Sequence, residues 1–109
     1  MRYYDTKWYM NTRLIVTDTI SPNDVFKTTD EVTWRDVNGE LVVLKLTSGE
    51  YFSFNSVGRL TWMNLSEGKS IADAVDAIAA EYDVTREQAV LDVHTFVEGL
   101  LTNDLLYKD

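Results

Sequence analysis

The chain has 109 residues, 45% of them hydrophobic, no cysteine and a formal net charge of -8. That length makes one domain, able to bury roughly two-thirds of its unfolded surface around a single core. The composition excludes a disulfide frame, a thiolate metal site and a disordered chain.

The charge is uneven. Residues 67–109 hold ten acids and three bases, whereas residues 1–66 hold eight acids and seven bases. A nucleic-acid binder needs a cationic face to displace counterions from phosphates. The acidic C-terminal half therefore argues against nucleic acid and against anionic membrane surfaces. No apolar run approaches the roughly 20 residues of a membrane span. The N-terminus, MRYYDTKWYM, lacks the apolar segment and cleavage site of a signal peptide, which leads to the expectation of a cytoplasmic protein.

Residues 1–26 read as an arm. Arg13 to Thr17 is short and β-prone, and Ser21-Pro22-Asn23-Asp24 is a turn that divides the arm from the domain at 27–109. The arm either adds a strand or covers an apolar surface, or else Leu14 to Thr17 occupies a peptide-binding edge. Chain termini favour the first alternative.

Val32 to Val37 reads as a strand with Val32, Trp34 and Asp36 on one face. Asn38-Gly39 signals a two-residue hairpin turn, because both positions tolerate positive φ. In the return strand, Leu41 to Leu46, residues Val42, Leu44 and Leu46 share one face and Leu41, Val43 and Lys45 the other. After the turn at Thr47–Glu50, Tyr51 to Phe54 forms a third, short edge strand, with Phe52 and Phe54 opposite Tyr51 and Ser53.

Asn55 is placed to cap a first helix carrying Val57, Leu60, Thr61 and Leu65, which ends at Gly68. Ser70 and Asp73 form a capping box that opens a second helix, with Ile71, Ala74, Val75, Ile78, Ala79 and Tyr82 as its apolar stripe. Thr85 and Gln88 form another capping box, opening a third helix that runs to about Thr102. That helix has two stripes. Ala89, Val93, Phe96 and Leu100 make one; Val90, Val97 and Leu101, with His94 between them, make the second. Two stripes need two partners: the core, and either the sheet or something outside the domain. Leu105-Leu106-Tyr107 is a tail that packs back or makes a small bridge. Three strands followed by three helices predict an α+β domain with helices on one face of a small antiparallel sheet.

The residues offer little for catalysis. The single histidine has no cysteine and no nucleophile elbow to work with. The five glycines are scattered, so no phosphate loop forms. His94 and Glu98 lie four apart on one helix face, but two ligands fall short of the three or four a zinc site needs; an ion-pair or surface role is the simpler reading. Asp73 and Asp76 read as solvated charges, since no apolar pocket separates their pKa values.

One run carries a resemblance. Gly39 to Leu44, followed by Ser48-Gly49-Glu50-Tyr51-Phe52-Ser53-Phe54-Asn55-Ser56-Val57-Gly58-Arg59-Leu60-Thr61-Trp62, resembles the PqqD family. Ser70 to Asp73, Glu81-Tyr82-Asp83-Val84, and Asp92-Val93, Phe96-Val97 and Leu100-Leu101 continue the match in order, over about residues 30 to 107. The resemblance implies a winged-helix-like domain of the kind called a RiPP recognition element. Such domains are not enzymes and need no cofactor. They bind the leader segment of a ribosomally made precursor peptide and present it to a modifying enzyme, such as a radical SAM enzyme, a peptidase or a cyclase. In the family the leader adds to the third strand and lies against the third helix. Carried over, the peptide-binding residues are Tyr51, Phe52, Ser53 and Phe54 on the strand, and Val90, His94, Val97 and Leu101 on the helix. The residues agree, because an edge strand offers unpaired backbone groups to a guest chain. The alternative is a winged-helix DNA-binding or regulatory module, which needs a basic recognition helix; Thr85 to Thr102 carries only Arg86.

Overall fold

The computed structural model describes residues 20–54 and 56–109. The readings made on Arg13–Thr17 and on the Asn55 cap lie outside the described residues. The elements run β1 (Phe26–Thr28), β2 (Val32–Val37), β3 (Glu40–Lys45), β4 (Tyr51–Phe54), α1 (Ser56–Ser66), α2 (Ile71–Glu81), α3 (Arg86–Thr102) and β5 (Leu106–Lys108). The α+β order of three antiparallel strands followed by three helices is as the sequence predicts.

β2, β3 and β4 form a meander in that order. Asn38 and Gly39 both have positive φ, 54° and 85°, the geometry whose twist matches the flanking strands. In the resulting register Trp34 faces Val43 and Val43 faces Phe52, while Leu41 faces Phe54. This sets Leu41, Val43, Phe52 and Phe54 on the buried face. The other face carries Thr33, Arg35, Val37, Val42, Leu44, Tyr51 and Ser53.

α1 lies against the buried face. Trp62 is fully buried, with its ring 5.4 Å from that of Trp34 and 6.2 Å from that of Phe54. Phe96 of α3 meets Phe54 edge-on at 4.8 Å. Gly58 permits this arrangement: a Cβ there would stand 3.0 Å from the Phe96 ring and 3.2 Å from Cβ of Phe54. Arg59 of α1 pairs with Asp36 of β2, tying helix to sheet at the surface. The Arg59 guanidinium holds the Asp36 carboxyl below the usual carboxylate range.

The start of α2 is fully satisfied. The Ser70 hydroxyl accepts from the Asp73 N–H and the Asp73 carboxylate accepts from the Ser70 N–H, the reciprocal box expected. Ile71 and Ala72 N–H donate to the carbonyls of Asp24 and Pro22 at 3.0 and 2.9 Å. Those two donors belong to the first-turn groups that a helix cannot satisfy internally. The Ser21–Asp24 turn, read from sequence as the division between arm and domain, is thus bound to α2. Ile20 and Phe26 join the core. At α3 the Thr85 hydroxyl accepts from the Gln88 N–H, but the Gln88 side chain does not reach back as the expected box requires; its Nε2 donates to Asp92 at 2.8 Å.

The structure adds one feature to the expected fold. β1 pairs antiparallel with β5, Lys27 facing Tyr107, in a separate two-stranded ribbon. Phe26 and Leu106 turn inward from it and are buried. The expected C-terminal bridge is therefore a strand pair with residues some 80 positions earlier.

Candidate functional site

β4 has β3 on one side and, among the described residues, no strand on the other. The Lys45 N–H donates to the Glu50 carbonyl at 2.8 Å. Antiparallel pairing alternates, so Phe52 and Phe54 direct their backbone groups at β3, and Tyr51 and Ser53 direct theirs outward. Two N–H and two C=O groups therefore point from this edge. The side chains sort differently. Phe52 and Phe54 are buried in the core, Tyr51 is 72% exposed, and the half-buried Ser53 donates to Glu40 at 3.3 Å.

α3 packs beneath the sheet. Phe96 meets Phe54 at one end, and at the other Lys45 Nζ donates to the Asn103 carbonyl at 3.2 Å. Seven helical steps from 96 to 103 span about 10 Å. Three extended steps from Tyr51 to Phe54 span about the same. Between Phe54 and Lys45 one stretch of α3 thus follows the sheet for about 10 Å. The flank of α3 turned this way carries Asp92, Thr95, Phe96, Gly99 and Asn103, at helical spacings of three and four. Asp92, Phe96 and Gly99 on it are buried.

The second stripe of α3 lies on the other flank. Val90 and His94 line a shallow cavity of about 160 Å³ with Pro22, Ile71, Ala72, Val75 and Arg86, on the α2 side of the helix. Val97, on the same stripe, is fully buried in the core, and Leu101 is packed partly against it. The structure thus sets Phe54, alone of the four strand residues, in ring contact with α3 through Phe96, and sets Val90 and His94 beside α2. The second partner that the stripe needs is α2. The sequence places Phe96 on the core stripe with Ala89, Val93 and Leu100, where it is fully buried; Asp92, Thr95, Gly99 and Asn103 beside it escape, because glycine, threonine and a carboxylate make no apolar stripe.

Rival chemistries find little here. Arg86, the only base on α3, is paired with Asp76 at 2.6 Å. Among the described residues no three His, Asp or Glu side chains group as metal ligands. No helix among them is long and apolar enough to cross a membrane.

The family described as coenzyme PQQ synthesis protein D (PqqD) matches residues 40–106. Two solved structures resemble the chain. TbiB1 in complex with the TbiA(beta) leader peptide is 39% identical, with a TM-score of 0.70, covering 76% of this chain and 99% of that one. Lasso peptide synthetase B1 complexed with the leader peptide is 29% identical, with a TM-score of 0.70, covering 75% of this chain and 96% of that one. No curated protein sequence matches.

Proposed function

Because this chain belongs to the PqqD family, we propose that it is a non-catalytic RiPP recognition element, which captures the leader of a ribosomally made precursor peptide and presents the peptide to a modifying enzyme. The leader pairs with the outer edge of β4 and lies beside α3 at the half-buried Thr95 and Asn103, with Phe96 fully buried beneath. Backbone pairing supplies affinity, and side-chain contacts on the helix supply selectivity. The observation that carries this reading is the edge of β4, which directs the backbone of Tyr51 and Ser53 outward beside α3, whose Phe96 meets Phe54. Two relatives of similar fold, each holding a leader peptide, support it. A DNA-binding module is not favoured, since the one cation on α3 is already paired.

Tyr51→Pro removes an outward N–H donor without touching the pairs that Phe52 and Phe54 make with β3. Tyr51→Ala removes the exposed ring and keeps the donor. With both variants shown folded by circular dichroism, a leader peptide should lose most of its affinity for Tyr51→Pro and much less for Tyr51→Ala. Equal affinity of Tyr51→Pro and the parent chain would refute strand addition.

A further inference from the structure

The outer face of the meander departs from the usual pattern. An antiparallel sheet with helices on one face normally turns polar residues to water on the other. Here two of the three outward positions of the central strand β3 are apolar, Val42 and Leu44, beside Glu40. With Thr33, Arg35 and Val37 of β2 they line a shallow depression of about 320 Å³. Val37 is 44% exposed, and Tyr51, on the same face of β4, is 72% exposed. Val42 and Leu44 are half-buried between them, so the face carries a small apolar patch rimmed by polar side chains, the composition of an interaction surface. Arg35 stands opposite Val42, exposed, and makes no ion pair among the described residues.

We propose that this outer sheet face is the docking surface for the enzyme that modifies the peptide held on β4, meeting an apolar patch on that enzyme with a carboxylate opposite Arg35. The inference rests on the leader-binding reading and adds the second surface that presentation requires. Three observations select this occupant. Three strands about 4.8 Å apart and about 20 Å long present roughly 300 Å², well under the roughly 800 Å² per partner of a stable interface. A second copy is disfavoured further, because each copy carries a net charge of -8 and a two-fold contact would set Arg35 near its own equivalent. The face is also continuous with the proposed leader edge through Tyr51 and Ser53 of β4. A weak patch suffices for an enzyme already tethered by the shared peptide, since tethering supplies an effective concentration in the millimolar range.

The test uses the full chain with the precursor peptide and the processing enzyme encoded in its own gene neighbourhood. Arg35→Glu/Val37→Asp changes two exposed side chains on β2, two strands away from the leader edge. Its affinity for the fluorescein-labelled leader should stay within about twofold of the parent chain. Processing of the full-length precursor at limiting enzyme should fall about tenfold, and Val37→Ile alone should leave it unchanged. An Arg35→Glu single variant provides a second reading where the double variant shows altered circular dichroism. Unchanged processing by a folded variant overturns the docking proposal and leaves leader capture standing. Failure of the parent chain to bind the labelled leader overturns leader capture, and the docking surface with it.

Discussion

At the residue scale the pair of Asp36 and Arg59 shows how a surface contact acquires a pH signature. Asp36 lies on β2 and Arg59 on α1, so their ion pair joins the sheet to the helix that covers it. Arg59, chiefly through its hydrogen bond, holds the Asp36 carboxyl below its ordinary value. A depressed carboxylate stabilises the fold at pH above its unfolded pKa of about 3.9, and that contribution is lost as pH falls through the lower folded value. Asp36→Asn removes the charge at every pH. The variant should therefore unfold at lower urea than the parent at pH 7, and the two midpoints should converge as pH falls through the carboxyl's depressed folded value. The effect shrinks in high salt, because both partners are substantially exposed. A gap between the midpoints that persists unchanged into acid would assign the loss to packing instead of charge.

At the element scale α3 is decided by what packs on its two flanks. Val97 is fully buried whereas Val90 stands at the surface, although both belong to the second apolar stripe. Val97→Ala should accordingly destabilise the fold by about 2 kcal/mol, the cost of emptying a packed site. Val90→Ser should change stability by no more than about 0.5 kcal/mol. If Val90 and Val97 instead shared one leader-facing surface, both variants would weaken leader binding and neither would shift the thermal midpoint. Much of this architecture is legible in the chain because its signals are local. Asn38-Gly39 sets the hairpin, strand alternation separates Phe52 from Tyr51, and Ser70 with Asp73 opens α2. The flank of α3 that meets β4 is not legible, because it depends on where α2 docks. That position is fixed by the Pro22 and Asp24 carbonyls, contacts nearly 50 residues distant along the chain. The β1–β5 ribbon escapes for a related reason: three-residue strands show no period, and their pairing spans the length of the domain.

At the scale of the whole molecule, charge is segregated. The first 66 residues, which include the sheet, are nearly balanced at eight acids to seven bases, whereas residues 67–109, with α2 and α3, carry ten acids to three bases. Among the described residues, folding gathers sixteen acids and seven bases into a body with a radius of gyration of 12.9 Å. Relative to an expanded chain, that compaction costs on the order of a few kcal/mol in water at low ionic strength. The ion pairs among the described residues oppose this only weakly. Lys27–Asp109 and Lys69–Glu67, for example, are more than half exposed at 3.5 and 3.4 Å, and such pairs contribute at most about 1 kcal/mol each. Raising salt from about 10 mM to 150 mM shortens the screening length from about 30 to 8 Å, which silences repulsion across the molecule before it silences contacts of a few ångströms. The thermal midpoint should therefore rise by several degrees over that range, at roughly 4 to 8 °C per kcal/mol for a domain of this size. A midpoint that falls with added salt would mean that the local pairs outweigh the acidic excess, and that the helical half holds its charge in compensated positions.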